Sequence, residues 1–161
     1  MDLYEDILLE EERINLLENF IKLSVKDLGD SFPGLQSSPT IHLHEEMKIL
    51  LKKIKPYHEG YTITKCWANF SKGDIIAWHN HYEDTNRSKK SMVYFLENKC
   101  GMGPMFKVEP KHSFPFSPPP FRVKITQCPE NSLLLFDNTL IHSVPCHLPQ
   151  DRYSIAFDIV K

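Results

Sequence analysis

The first third of the chain carries apolar residues at helical spacing, separated by charged ones. Between residues 3 and 23, apolar side chains recur so that they fall on one side of a helix, which predicts an amphipathic helix. We expect this helix to pack on the outside of a sheet or to form a contact in a homodimer. The predicted buried stripe consists of Leu3, Ile7, Ile14, Leu17 and Ile21.

A second helix is predicted over residues 43–55, after a stretch over residues 29–40 whose glycine, proline and serine predict a loop. Its lysines form a solvated face near the helix C-terminus, where positive charge is favourable. Pro56 ends the pattern, because proline lacks the N–H that a continuing helix needs. The residues predicted to face inward are Leu43, Met47, Leu51 and Ile54, and those predicted to face outward are Lys48, Lys52, Lys53 and Lys55.

After residue 60 the pattern changes to the β-branched and aromatic sequence that is typical of strands. Turns are predicted at residues 71–74 and 100–104, a polar loop at 82–90, and a long surface connection over the proline-rich stretch Pro110–Pro120. Two helices followed by strands predict an α+β fold, mainly β, with an antiparallel barrel or sandwich. The predicted strands cover residues 61–70, 75–81, 91–96, 105–108, 121–126, 132–137, 140–144 and 152–160.

The composition is typical of a soluble globular protein. The chain has 161 residues, of which 41% are hydrophobic and 25% charged, and its formal net charge is −2. This length predicts a single domain, 1–161, with a helical part over residues 1–57 and a strand-rich core over residues 60–161. The small net charge gives no indication of a nucleic acid or of a membrane surface as a partner.

The beginning of the chain, Met1–Asp6, is acidic, whereas a secretion signal begins with basic residues. No apolar stretch has the length of about 18 residues that a membrane-spanning helix needs. We therefore expect a cytoplasmic location, in which widely spaced cysteines stay reduced. The cysteines are Cys66, Cys100, Cys128 and Cys146.

Three histidines end apolar runs and are the candidate metal ligands. His79 and His81 follow Ile75–Trp78, and because they are two apart on a predicted strand, their imidazoles share a face. His142 ends a second apolar run, and Arg152 begins a third. Imidazole is a common ligand of iron, zinc and copper, so these residues predict a metal site with a cation beside it. An exposed strand end is the alternative, and His-x-His also occurs in zinc hydrolases and cupins.

These residues follow one another in a particular order. Gly73 stands six residues before His79, His142 follows after a long excursion, and Ser154 stands two residues after Arg152. This order resembles that of the iron(II)/2-oxoglutarate-dependent oxygenases, specifically the small prolyl-hydroxylase-like group of bacteria and marine phages. The spacing of His79 and His81 alone is a weak indication, and the combined order is more specific. The resemblance extends over Ser38–His44, Thr64–Phe70, Gly73–His81, Val93–Leu96 and Leu133–Ile159.

The resemblance implies a double-stranded β-helix, a jelly-roll or cupin-like barrel with the metal at one mouth and two N-terminal helices packed outside. It implies Fe(II) on His79 and His142, and 2-oxoglutarate held through its distal carboxylate by Arg152, with Ser154 as a further donor. The implied hydroxylase uses O2, converts 2-oxoglutarate to succinate and CO2, and acts on an unknown small molecule or peptide. Aromatic candidates for lining the pocket are Trp67, Trp78, Tyr82 and Tyr94, with core packing expected of Trp67 and Tyr94.

One ligand position departs from the family's usual pattern. Most members have a carboxylate two residues after the first histidine, whereas this chain has His81. We expect His79, His81 and His142 to bind the metal, because Gly73 stands at the family's usual distance from His79. The alternative set is His81, Glu83 and His142. Without the carboxylate, two other functions stay open: a metal-binding barrel that has lost oxygenase activity, and a cupin-like zinc enzyme that does not use 2-oxoglutarate.

Overall fold

The computed structural model describes residues 1–27, 34–72, 76–81, 89–108, 122–144 and 151–161. Their strands form two antiparallel sheets, and their helices lie between residues 10 and 58, so the predicted α+β, mainly β class is confirmed. The strands are β1 Asp2–Tyr4, β2 Lys26–Asp27, β3 Leu35–Gln36, β4 Thr62–Lys72, β5 Ile76–His79, β6 Lys89–Asn98, β7 Met102–Val108, β8 Arg122–Gln127, β9 Ser132–Asp137, β10 His142–Val144 and β11 Asp151–Val160.

Strand β11 lies at the centre of the larger sheet. That sheet has the order β1-β9-β6-β11-β4-β3-β2, and the smaller sheet has the order β5-β10-β7-β8. Strand β11 pairs with β4 along its whole length on one side and with β6 from Arg152 onward on the other. Because side chains alternate along a strand, β11 presents a different set of residues to each face of the sheet. One set packs in the apolar core between this sheet and the helices, called the helix-side core below, and consists of Ile155, Phe157 and Ile159. The other set begins with Arg152 and Ser154, which line a cavity on the opposite face.

Two apolar clusters cover the two faces of the larger sheet. The first packs the helices against the sheet and includes Ile21, Leu50 and Phe157. The second lies between the sheets, where Phe106 of β7 contacts Phe136 of β9 with ring centroids 5.1 Å apart. The larger sheet is therefore covered by helices on one face and by the smaller sheet on the other, which buries the apolar residues of both.

The first helix begins at a run of three glutamates. It consists of α1 (Glu10–Leu16), a π-helical turn (Leu17–Ile21) and α2 (Lys22–Ser24). Glu12 accepts the backbone N–H of Leu9 at 2.9 Å, which satisfies a donor that the helix itself leaves unpaired. Negative charge in the first turn is also favourable for the helix dipole. These two effects explain why the helix begins at residue 10 and not at residue 3.

Residues 2–4 form β1, which pairs with β9, so the prediction of a helix from residue 3 was wrong. Leu3 and Ile14 are exposed, which also corrects the predicted stripe. Arg13 is buried in their place, because its guanidinium donates to the Leu96 carbonyl at 2.6 Å and pairs with Glu130 at 3.0 Å. The members of the stripe that are buried as predicted are Ile7, Leu17 and Ile21.

The second predicted helix is shorter than expected and is flanked by 3-10 turns. Its α-helical part, α3, is Lys48–Ile54, and a 3-10 turn, Lys55–His58, follows it. Met47 is buried as predicted, but Leu43 is 75% exposed, so its inward assignment was wrong. Leu43 ends a separate 3-10 turn, Ile41–Leu43, and helical periodicity therefore does not extend to it.

Most predicted strands occur near their predicted positions, and several are longer than predicted. The predicted loop over residues 29–40 contains β3, which pairs with β4. The predicted turn over residues 100–104 is partly strand, because β7 begins at Met102. Gly103 permits this path, since a Cβ there would collide with the side chain of Cys128 on the neighbouring segment. Close packing against side chains of the neighbouring segment thus explains a glycine that local sequence marks as a turn.

The proline-rich stretch Pro110–Pro120 and most of the predicted loop over residues 82–90 lie outside the described residues. Gly73 and Glu83 lie outside them as well. Among the residues that are described, no helix is long and apolar enough to cross a membrane. The single domain, the homodimer and the cytoplasmic location stay predictions.

Candidate metal centre

Two neighbouring strands of the smaller sheet bring the histidines together. His79 is the last residue of β5 and His142 is the first of β10, and antiparallel pairing sets them opposite each other. His81 follows two residues after His79. Its backbone N–H donates to the Asn138 carbonyl at 3.1 Å, and its carbonyl accepts from Asn138 Nδ2 at 3.3 Å. Backbone pairing therefore holds all three imidazoles at one end of these strands.

One ring nitrogen of each histidine lies within 4.8 Å of those of the other two. The ring centroids are 4.3 Å apart for His79 and His142, 5.3 Å for His81 and His142, and 5.4 Å for His79 and His81. A metal–imidazole bond is about 2.1 Å long, so these nitrogens are near the separation that one shared ion requires. The structure thus brings together the three predicted ligands, whose role in metal binding stays a prediction.

Each imidazole has its Nδ1 atom against an oxygen atom, which selects the tautomer. Carbonyl and carboxylate oxygens only accept hydrogen bonds, so Nδ1 carries the proton and Nε2 keeps its lone pair. Metal-binding histidines in proteins are commonly oriented in this way by an acceptor behind the ring. The pairs are His79 Nδ1 with the Ala77 carbonyl at 2.7 Å, His142 Nδ1 with the Leu140 carbonyl at 3.0 Å, and His81 Nδ1 with Asp158 Oδ1 at 3.0 Å.

Burial keeps two of the imidazoles in the neutral form that binds metals. Loss of hydration lowers the pKa of His142 to about 4, and the hydrogen bond to the Leu140 carbonyl offsets this only in part. Burial likewise lowers the pKa of His79, and the neighbouring His81 lowers it further. At neutral pH, protons therefore do not compete with a metal for these two side chains.

Arg152 and Ser154 lie on β11 and line the same cavity as the three histidines. Arg152 is only 2% exposed, and its Nη2 donates to Ser71 Oγ on β4 at 3.0 Å. A buried guanidinium is favourable only with strong hydrogen-bond acceptors around it, and carboxylates match its paired donors best. A cation at this position makes the cavity suitable for an anionic ligand.

The cavity has a volume of about 320 Å³ and is lined by residues of both sheets. A volume of this order is typical of sites for small molecules. Gln36 and Asn69 contribute amide groups, and Gln36 Nε2 donates to Asn69 Oδ1 at 2.9 Å. The apolar part of the lining includes Met92, Val93, Phe95, Phe136 and Val144. The site thus combines three candidate metal ligands and a cation with a partly apolar lining.

Trp67 lines this cavity, so the expectation of core packing for it was wrong. Its ring stacks on His81, with centroids 5.7 Å apart and planes at 19°. Tyr94 is buried in the core as expected, and its hydroxyl donates to Asn131 Oδ1 at 2.7 Å. Trp78 is exposed and does not belong to the lining of this cavity. Tyr82 lies outside the described residues.

Asp158 of β11 was not predicted from the sequence as part of the site. Its Oδ1 lies 3.0 Å from His81 Nδ1 and 3.3 Å from Ser91 Oγ. Strand parity is the signal that indicates it, because Asp158 follows Ser154 by four residues and therefore shares its face of β11. The alternative ligand Glu83 is not described, so the choice between the two ligand sets stays a prediction.

The sequence matches no family model and no curated protein. Solved structures nevertheless share its fold. They include the non-heme alpha ketoglutarate dependent epimerase SnoN from nogalamycin biosynthesis, at a TM-score of 0.75 and 11% identity over 99% of this chain and 77% of that one. HygX from Streptomyces hygroscopicus, with nickel and 2-oxoglutarate bound, has a TM-score of 0.70 and 12% identity over 98% and 81%.

A third similar structure is the viral collagen prolyl hydroxylase vCPH from Paramecium Bursaria Chlorella virus-1, in complex with 2-oxoglutarate. Its TM-score is 0.65, with 13% identity over 99% of this chain and 94% of that one. At such identities the comparison establishes the fold. The chain has a fold found among 2-oxoglutarate and iron(II) oxygenases, which confirms the predicted resemblance at that level.

Proposed function

We propose that this protein is an iron(II)- and 2-oxoglutarate-dependent oxygenase with a double-stranded β-helix fold, which hydroxylates a substrate that is still unknown. The proposal depends on one observation above all: three histidines with free Nε2 atoms share a cavity with a buried arginine. The three structures named above support it, because SnoN is alpha ketoglutarate dependent and the other two contain 2-oxoglutarate.

His79, His81 and His142 hold the metal ion in this proposal. Their Nδ1 atoms are occupied by oxygen acceptors, so each ring offers Nε2 alone, and neutral imidazole is a suitable ligand for iron(II). These three side chains would hold the ion and leave it able to take further ligands from the cavity. Iron(II) with 2-oxoglutarate and O2 supplies the oxidising chemistry, which yields succinate, CO2 and a hydroxylated product.

Arg152 binds the distal carboxylate of 2-oxoglutarate in this proposal. Its guanidinium offers two parallel charge-assisted hydrogen bonds, and the bond to Ser71 Oγ keeps the side chain in place. Ser154 adds a hydroxyl from the same face of β11. Apolar neighbours such as Val93 and Phe136 exclude water, which strengthens the attraction between the two charges.

Anaerobic titration of the iron(II)-loaded protein with 2-oxoglutarate tests the proposal. A visible charge-transfer absorption should appear and saturate, because 2-oxoglutarate chelates the iron through its oxo-acid group. Arg152→Ala should require about 10–100-fold more 2-oxoglutarate, since hydrogen bonds to a charged partner contribute about 1.5–3 kcal/mol. Addition of O2 should then yield succinate.

Arg122→Ala is the matched control, because Arg122 is an exposed arginine on β8. This variant should titrate like the wild type. Iron binding without any absorption change on addition of 2-oxoglutarate would contradict the proposal. The two alternatives, a cupin-like zinc enzyme and a metal-binding barrel without oxygenase activity, would then be preferred, since three histidines also form catalytic zinc sites.

A further inference from the structure

Asp158 is a carboxylate in direct contact with a proposed metal ligand. Its Oδ1 lies 3.0 Å from Nδ1 of His81, and Ser91 Oγ donates to the same oxygen at 3.3 Å. Both partners of the first contact are largely buried, with 17% of the His81 side chain and 21% of the Asp158 side chain exposed. Salt and water therefore screen this interaction less than they screen a surface pair.

The surrounding structure aims Asp158 at His81. Asp158 lies opposite Ser91 on β6 and Lys65 on β4, and the register of the pairing with β4 shifts immediately after it. Such a bulge commonly redirects a side chain beside a functional site. Trp67 stacks on the His81 ring, so the ring lies between an aromatic stack and a close polar contact with a carboxylate.

His81 differs in this respect from the other two histidines. The Nδ1 atoms of His79 and His142 donate to backbone carbonyls, which are neutral acceptors. The acceptor behind His81 is a carboxylate, and a carboxylate makes the imidazole a more basic metal ligand. His81 is also the residue at which this chain departs from the two-histidine, one-carboxylate pattern.

We propose that Asp158 is a positioning residue that supplies, through His81, the negative charge that a carboxylate ligand would otherwise bring to the metal. This inference rests on the proposed function, since it requires a metal ion at the three histidines. Three neutral ligands leave a divalent ion with its full charge. A carboxylate one imidazole away compensates part of that charge and fixes Nε2 of His81 as the ligand atom.

Asp158→Asn tests the inference, because asparagine keeps the size of the side chain and an oxygen acceptor while removing the charge. Titration of the metal-free variant with iron(II) should show about 10–100-fold weaker binding, the usual effect of losing such a partner. The iron(III)/iron(II) reduction potential should also rise. The negative charge of Asp158 stabilises iron(III) more than iron(II), and the variant lacks this charge. If the variant loses tenfold more affinity for iron(III) than for iron(II), the potential rises by about 59 mV. Asp151→Asn, at the exposed start of the same strand, is the control and should leave both quantities unchanged.

A second background separates charge from structural support. His81→Asp brings a carboxylate directly to the metal, so the charge of Asp158 is no longer needed there. In that background Asp158→Asn should weaken iron(II) binding much less than in the wild type, because no imidazole remains between Asp158 and the metal. The size of the Asp158→Asn effect on iron(II) affinity thus depends on the residue at position 81.

Equal weakening of iron(II) binding by Asp158→Asn in both backgrounds, or an unchanged potential in the wild-type background, would overturn the inference. Failure of the wild type to bind iron would instead contradict the proposed function. If Asp158→Asn does not fold, Asp158→Glu and Asp158→Gln form an equivalent pair that differs in charge. The glutamate variant should then bind iron(II) about tenfold more tightly than the glutamine variant. Equal affinity of those two variants would also overturn the inference.

Discussion

On strand β11, Ile155, Phe157 and Ile159 pack against the helices, whereas Arg152 and Ser154 point into the cavity between the sheets. Both sets are buried, yet one belongs to a continuous apolar core and the other brings charge and hydrogen-bonding groups into the interior. The helix-side face stabilises the fold by removing apolar surface from water. The cavity-side face buries polar groups, which costs free energy unless they find partners, as Arg152 does in Ser71.

If the proposed function is correct, one sheet separates stability from function by alternation along its strands. A residue and its immediate neighbour can then have opposite effects when they are replaced. Substitutions on the helix-side face should lower the free energy of unfolding and leave the chemistry of the folded protein unchanged. Substitutions on the cavity-side face should change the chemistry and have little effect on the free energy of unfolding.

The largest effect is expected from His142→Ala on the cavity side. Loss of a proposed ligand should abolish measurable iron(II) binding, because even the loss of a hydrogen-bond partner behind a ligand weakens binding about 10–100-fold. Isothermal titration calorimetry with iron(II) measures this binding. The metal-free variant should still unfold cooperatively on heating, since the helix-side core is untouched.

Glu83→Ala decides between the two ligand sets in the same titration. The set His79, His81 and His142 predicts that Glu83→Ala binds iron(II) like the wild type. Loss of iron in Glu83→Ala, together with retention in His79→Ala, would establish the alternative set of His81, Glu83 and His142.

The reverse effect is expected one position from the cavity, at Ile155→Ala. Ile155 is fully buried in the helix-side core, and removal of such a side chain typically costs about 2–5 kcal/mol through lost burial and the space left behind. Urea unfolding of the metal-free protein measures the loss. Ser154→Ala is the matched control on the adjacent residue, and it should change the free energy of unfolding by less than about 1.5 kcal/mol. Similar losses for both variants would contradict the separation of the two faces.

Long strands and their faces could be predicted from the sequence, because a strand buried on both sides needs many β-branched and aromatic residues. Strands β4, β6, β9 and β11 all fall where this pattern occurs. Strands β1, β2 and β3 were missed because two or three residues cannot show a period. These segments are strands because they pair with other strands. The partner of β1 is β9, which lies far from it in the sequence.

The histidines and Arg152 could be predicted because each stands at the end or the beginning of an apolar run. Asp158 could not be predicted in this way, since it lies inside such a run and contacts a residue far away in the sequence. The position of Trp67 was missed for a related reason. Local sequence marks it as apolar and buried, but only the register between β4 and β11 determines that it faces the cavity.

The cavity-side face should also respond to pH, because it includes His142, which is only 3% exposed. The pKa of His142 is about 4 in the folded protein, against 6.5 for an unperturbed histidine. Between these values the unfolded state binds a proton that the folded state does not, so stability rises with pH in this window and falls as the solution is acidified. The metal-free protein should lose about 3 kcal/mol from His142 between pH 6.5 and pH 4.

Urea unfolding of the metal-free wild type and of His142→Gln at a series of pH values checks this expectation. Carboxylates contribute to the pH dependence of both proteins, so the difference between the two curves isolates the histidine. The wild type should lose more stability than His142→Gln as the pH falls to 4. Parallel curves would show that His142 does not titrate below its ordinary range.

The smallest effect is expected from Ser154→Ala on the binding of 2-oxoglutarate. If the hydroxyl of Ser154 assists Arg152, its loss removes one hydrogen bond to a carboxylate that the guanidinium still holds, which is worth about 1 kcal/mol. The anaerobic titration should then require about fivefold more 2-oxoglutarate, while iron(II) affinity stays as in the wild type.

Ala156→Ser is a useful comparison, because it places a hydroxyl two residues further along the same face of β11. If Ala156→Ser restores 2-oxoglutarate affinity in the Ser154→Ala background, the cavity needs only a nearby hydroxyl. If it does not, the position of Ser154 beside Arg152 is what matters, and the cavity-side face is then specific to one residue where the helix-side face needs only volume and apolarity.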